Sequence, residues 1–179
     1  IGVVAALTLP TVMNNIQHKE LETALKKQYS TLSQAILDIQ REDDLPFEYE
    51  SYGHNFNTKL ASKYKATIDC GEIVANTGCV IKEKNGIFSH YKSYTGKSLQ
   101  TAYMDDGGFI ANDGTTFFIE QGEQSRTIGA YLVTIDINGY KKRPNKMGHD
   151  LFMFQISKDG KVLPVGADGA WRSQTREAM

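Results

Sequence analysis

The chain has 179 residues, 40% of them hydrophobic and 23% charged, with a formal net charge of -1. That length and balance provide for one domain with its own core and exclude disordered and fibrous compositions. They also remove any global attraction to nucleic acid or anionic membrane, so binding of that kind needs a local patch.

The first element is the run IGVVAALTLPTVMNNI, residues 1–16, which carries no charge. It passes straight into an amphipathic pattern over residues 17–44, whereas a secretory signal ends its apolar core at a small-residue cleavage site. From Ile1 to Leu9 the apolar stretch is about half of the ~20 residues that an α-helix needs to cross a bilayer. Beginning at Ile rather than Met, it is expected to be either a processed product or the rear of a longer apolar segment, and an apolar run cut midway fits the second. Pro10 removes one helical hydrogen bond and biases Leu9 away from helical geometry, so a kink or a locally melted turn is expected there. Beyond it, Leu21, Leu25, Tyr29, Leu32, Ile36 and Ile39 recur at steps of three and four, which places them on one helical stripe facing a core. Lys19, Lys26, Lys27, Ser33 and Gln40 lie opposite, and Asp43-Asp44-Leu45-Pro46 supplies a stop.

The string GVVAALTLPTVMNNIQHKELETALKKQYSTLSQAI resembles the membrane-proximal part of the N-terminal helix of type IV pilins and type II secretion pseudopilins. In that family an apolar helix of small and β-branched residues runs to a proline and continues as an amphipathic helix. The resemblance covers roughly the first 40 residues, and its order of elements makes it specific. It implies an α+β fold, with a long N-terminal helix packed on an antiparallel sheet. Ile1, Gly2, Val3, Val4, Ala5, Ala6, Leu7, Leu9 and Pro10 become the assembly segment, held in the inner membrane and later in a filament core. The implied partners are further copies of the chain and the inner-membrane pilus or secretion machinery. The implied location is the inner membrane, then an extracellular or periplasm-spanning filament. Three roles are compatible with such a subunit: pilin of a surface filament, pseudopilin of a secretion system, and minor pilin binding DNA or a surface.

Residues 45–98 form a connector rich in Tyr, Phe, Gly and Asn, which the resemblance makes the variable surface region. Within it, Asn57-Thr58 is expected to cap a short helix carrying Leu60, Ala61, Tyr64 and Ala66. Cys70 and Cys79 follow, nine residues apart, with Gly71, Asn76 and Gly78 between them. They can reach disulfide geometry across a tight loop, and their spacing is not that of a four-ligand zinc site. The exported location implied by the membrane-anchored N-terminus favours the disulfide over free thiols.

From residue 99 to 179 the pattern turns to short β-like runs at Phe109–Ala111, Thr116–Glu120, Ala130–Ile137, Leu151–Ile156 and Val162–Val165. Asn112-Asp113-Gly114 and Lys158-Asp159-Gly160 are hairpin turns, because Gly and Asn readily take the positive φ such turns need. The sheet is therefore expected to be antiparallel. Tyr131, Val133, Ile135 and Ile137 alternate with Leu132, Thr134 and Asp136, which predicts one packed face and one partly wet face.

The segment DINGYKKRPNKMGHD, residues 136–150, resembles a pattern found late in some pilin-like and pseudopilin proteins. Asp136, Asn138, Asn145 and Asp150, with the Tyr140 carbonyl, offer oxygens to a hard cation such as calcium. Against this stand Lys141, Lys142, Arg143 and Lys146, four positive charges beside two carboxylates, and an incomplete ligand set. The residues favour a long β-loop fixed by side-chain hydrogen bonds to its backbone. The same four cations beside Tyr140 form a candidate anion-binding loop for DNA phosphates, although a charge run in a loop is usually a solvated face.

Catalysis finds little footing. His18, His54, His90 and His149 are scattered, no serine or cysteine sits in a nucleophile-elbow context, and Gly107-Gly108 lacks the lysine and spacing of a phosphate loop. Asp105-Asp106 is one adjacent acidic pair, which marks a turn more often than an acid/base couple. The expectation is a structural subunit that is not an enzyme and holds no cofactor unless calcium enters the loop of residues 136–150.

Overall fold

The computed structural model describes residues 2–72, 77–80, 88–99 and 101–171, with side chains from residue 17 onward apart from residues 77 and 101. Helix α1 spans Gly2–Asp43, 42 residues, or roughly 63 Å at the usual rise of ~1.5 Å per residue. The helix continues through Leu9 and Pro10, so the locally melted turn expected there is not formed. A proline deletes one N–H donor, and intact turns on both sides can hold the helix across that single gap. At the other end Asp44 takes a positive φ of 51° and its N–H donates to the Gln40 carbonyl at 2.9 Å, closing the helix where the acidic turn was expected. Among the described residues no helix is long and apolar enough to cross a membrane.

Beyond α1 the chain makes a single turn of helix α2 (Tyr49–Tyr52), helix α3 (Asn55–Lys63) and helix α4 (Glu123–Ile128). Its strands are β1 (Ile68–Asp69), β2 (Gly107–Ile110), β3 (Thr116–Glu120), β4 (Tyr131–Asp136), β5 (Leu151–Ile156) and β6 (Val162–Pro164). They form one antiparallel sheet in sequence order, β1-β2-β3-β4-β5-β6. Both edges are short, which limits the unpaired backbone offered to another chain. The β2–β3 hairpin turns through Gly114 at φ 86° and the β5–β6 hairpin through Gly160 at φ 78°.

Helix α1 covers one face of this sheet. Leu32, Ile36 and Ile39 are fully buried against Phe117, Ile119, Val133, Ile135 and Phe154. Burial of each such side chain is worth about 1.5–3 kcal/mol relative to exposure. Leu21 and Leu25 join more loosely, and Tyr29, 41% exposed, lies at the border with its hydroxyl donating to the Val162 carbonyl. Ala35 and Gln28 complete the seat; Gln28 is buried and its amide donates to Thr115 Oγ1 at 2.9 Å in the β2–β3 turn.

Two further expectations are corrected. Asn57 does not cap α3: His54 precedes the helix, and Asn57 lies buried inside its first turns, with its N–H donating to Gln121 Oε1. The sheet also has no wet face at its centre. Leu132, Thr134 and Asp136 are as buried as Tyr131, Val133 and Ile135, because the connector folds back over them. Cys70, Cys79, Val80, Phe88 and Tyr91 form with Ile110, Phe118 and Leu151 a second core on that side. The rear half of the connector, from Cys70, thus acts as the sheet's third layer, while Phe47, Tyr52, Phe56 and Leu60 of its front half join the core on the α1 face.

Candidate functional site

Three places in this fold gather chemistry: α1, the loop between β4 and β5, and an acidic pocket at the end of β3. In α1, Gly2, Val3, Val4, Ala5, Ala6, Leu7, Leu9 and Pro10 are helical in backbone, while their side chains, and Ile1 altogether, lie outside the described residues. Among the described side chains of α1, residues 17–20 are exposed and burial begins at Leu21. Beside the seated part runs an apolar groove of about 560 Å³, with Leu25, Tyr29, Met147, Phe154, Pro164 and Val165 among its lining.

Cys70 and Cys79 form a disulfide, with Cα atoms 5.8 Å apart and both side chains fully buried. Cys70 follows β1, and its N–H donates to the Gly108 carbonyl, so the cross-link is anchored to the sheet. It holds the connector against the face that carries Phe118 and Ile110.

The β4–β5 loop is organised around Asp150. Its Oδ1 accepts from the Lys146 N–H at 2.7 Å and its Oδ2 from the Asn145 N–H at 2.8 Å, while Asn138 Nδ2 reaches Oδ2 at 3.4 Å. Asn145 sits at φ 52° and its amide donates to the Tyr140 carbonyl at 3.2 Å. Asp136, at the end of β4, accepts from the Tyr91 hydroxyl at 2.8 Å on Oδ2. These bonds are those of a self-bracing β-loop. Asp136 Oδ1, Asn138 Oδ1 and Asn145 Oδ1 nonetheless stay buried with no hydrogen-bond partner. Asp136, Asn138, Tyr140, Asn145 and Asp150 therefore do lie within one loop, but the Tyr140 carbonyl and both Asp150 oxygens are already engaged. Burial, and next the neighbouring Asp150 charge, push the Asp136 carboxyl up to about 7 despite the opposing Tyr91 bond. Tyr91 is raised in turn, first by its own burial and then by Asp136.

Of the basic residues in this loop, Lys141, Lys142 and Arg143 are exposed and Lys146 is half-buried. Lys141 lies over the Tyr140 ring at 5.5 Å and Lys146 over the exposed Tyr94 ring at 5.9 Å. Lys141 and Lys146 thus lie over two different rings.

The acidic pocket is the feature the sequence reading missed. Asp105 and Asp106 directly precede β2, with a bend at Asp106, and they do not stand alone. The register Gly107↔Ile119 and Gly108↔Phe118 extends by one residue to set Asp106 opposite Glu120, the last residue of β3. Oxygens of Asp105, Asp106 and Glu120 all lie within 4.8 Å of one another. Glu120 is fully buried; its Oε1 accepts the N–H groups of Gly122 at 3.0 Å and Ser125 at 3.1 Å. Its carboxyl is pushed up to about 7, by burial first and then by Asp106 beside it. Asp105 is raised too, again by burial before the Asp106 charge. The hairpin arithmetic around Asn112-Asp113-Gly114 was the available signal, since it fixes which residue of β3 meets Asp106.

Comparison with family models, curated proteins and solved structures yields no match to this chain. The functional reading therefore rests on the residues and geometry above.

Proposed function

We propose that this chain is a structural subunit of a type IV pilus-like filament, polymerising through its N-terminal helix. The observation that carries the reading is the division along α1. Among the described side chains, this 42-residue helix is seated on the sheet from Leu21 to Ile39, and the uncharged sequence of residues 2–16 forms the far end of the same helix. About 30 Å of helix precedes Leu21 at ~1.5 Å per residue.

The mechanism is differential burial. A helical segment with no charge is stable in lipid, and again in a bundle of identical segments, where small residues such as Gly2, Ala5 and Ala6 permit close approach. Assembly exchanges one apolar environment for another and needs no catalytic step. The head stays outside as a folded unit because its helical seat, sheet and disulfide-tied connector enclose their own cores. The groove beside Tyr29 and Phe154 gives a neighbouring subunit an apolar surface next to the helix.

Ala5→Asp tests this. An aspartate at the centre of an apolar helix costs about 2.5–3.5 kcal/mol in lipid, and the penalty recurs in every subunit of a bundle. The variant is expected to yield no sheared or cross-linked polymer while its head unfolds as cooperatively as the parent. Polymer at parental yield from Ala5→Asp overturns the reading. Fibres outside the cell mark a pilus; loss of protein secretion without fibres marks a pseudopilus.

A further inference from the structure

We propose that Asp105, Asp106 and Glu120 form a binding site for a hard divalent cation, calcium, at the junction of β2, β3 and α4. Two oxygens bound to one calcium ion at about 2.4 Å stand at most about 4.8 Å apart, and the three carboxylates here offer one oxygen each inside that span. All the side-chain donors are carboxylate oxygens, the preference of calcium and magnesium rather than of zinc or copper. Calcium is the better match because it accepts irregular and bidentate carboxylates, whereas magnesium demands a near-ideal octahedron.

An independent observation points to a ligand. Glu120 is fully buried, and while its Oε1 is satisfied by two backbone N–H groups, its Oε2 is buried with no hydrogen-bond partner. A buried carboxylate oxygen left unpaired costs of order 1–3 kcal/mol or more. No N–H or O–H donor among the described residues reaches it; its neighbour is the Asp106 carboxyl, an acceptor like itself. None of the ion pairs among the described residues involves Asp105, Asp106 or Glu120, although most other paired carboxylates meet a lysine. Two carboxylates facing each other without a donor between them need either a shared proton or a cation.

The surroundings are built for close approach. A Cβ on Gly122 would come within 2.7 Å of Asp106 Oδ2, so a larger residue there would displace that carboxylate from its place over the β3 end. The Gln121 N–H and side-chain amide hold Asp106 from the other side, at Oδ2 (3.3 Å) and at its carbonyl (3.0 Å). Asp105 and Asp106 are half-buried and Glu120 is buried, leaving the remaining ligand positions to water. The site lies on the connector side of the sheet, so an ion there would fasten the start of β2 to the end of β3.

Purified full chain in detergent, stripped with EDTA and then titrated with calcium chloride, tests the proposal through thermal unfolding and calorimetric binding. Calcium at about a hundred times its Kd is expected to raise Tm by roughly 5–10 °C. Glu120→Gln keeps an oxygen for the Gly122 and Ser125 N–H groups and supplies an N–H toward Asp106; it is expected to fold without calcium and to lose the calcium-induced rise. Asp105→Asn, at a half-buried position, is expected to weaken calcium binding at least tenfold and provides the reading should Glu120→Gln not fold. Asn138→Ala, in the β4–β5 loop, is expected to keep the full rise. No calcium-dependent shift in the parent, a shift retained in Glu120→Gln, or a shift lost in Asn138→Ala overturns the site. Each result is read on purified protein, so it stands or falls separately from filament assembly.

Discussion

Asp136 gives the most quantitative test of the way the connector seals the sheet. Its carboxyl is fully buried, bonded to the Tyr91 hydroxyl and held up at about 7, against an ordinary value of 3.8. The native state thus keeps a proton that the unfolded chain releases. Unfolded chains bind fewer protons over this interval, so stability falls as pH rises from about 4 to about 7 and levels off above. Between pH 5 and pH 8, the linkage relation with these two values gives a loss of roughly 2–3 kcal/mol from this group alone. Asp136→Asn removes the titration while keeping an oxygen for Tyr91. Urea unfolding of parent and variant at pH 5 and pH 8, both in EDTA, should show the variant losing less stability across the interval by about that amount. Glu120 contributes a slope of the same sign in both proteins and cancels in the difference. Equal pH slopes in parent and variant, or a steeper slope in the variant, would show that Asp136 is not buried as described and that the connector does not close over β4.

Other perturbations follow from packing and backbone geometry. Ile36→Ala opens a cavity at the centre of the helix–sheet seam and should lower unfolding stability by about 2–5 kcal/mol, whereas Leu37→Ala, at a position 43% exposed, should cost under about 1 kcal/mol; similar losses in denaturant melts would place the seam elsewhere. Gly139 sits at φ 85° with a would-be Cβ 2.5 Å from the Gly114 carbonyl oxygen. Gly139→Ala should therefore destabilise by more than the ~1 kcal/mol of a strained backbone alone, while Gly71→Ala, at φ 52° with open space around it, should show only that strain. Replacing Cys70 and Cys79 together by serine removes a short covalent loop and should cost about 2–4 kcal/mol in thermal or chemical unfolding, leaving α1 helical by circular dichroism.

Some of this architecture was legible in the sequence. Thr116–Glu120 and Leu151–Ile156 are strands with the expected boundaries, because bulky apolar residues and a glycine turn bracket them. The stripe through Leu32, Ile36 and Ile39 identified the buried face of α1 because a helix that covers a sheet must repeat at three and four residues. Strand β1 was not legible: Ile68–Asp69 is two exposed residues whose strand character comes from pairing with Phe109 and Ile110. The sealed second face was missed for a related reason. Alternation in β4 reports two faces of a strand, but burial of Thr134 and Asp136 depends on where a distant segment carrying Tyr91 folds back. Asn57 looked like a cap because its residue type favours one, yet its tertiary partner Gln121 claims its N–H. The acidic pocket joins residues 14 and 15 positions apart in the chain, and adjacency alone pointed only to Asp105 and Asp106.

The central claim is that this chain polymerises through α1. Electron cryomicroscopy of purified filaments, with the subunit identified by mass spectrometry, tests it most directly. The account predicts helical fibres in which this chain is the repeating unit, its residues 1–16 bundled at the axis and the six-stranded head outside. Filaments built from this chain with the heads at the axis and residues 1–16 at the surface, or a chain that stays monomeric when its own cells assemble fibres and secrete normally, would contradict it.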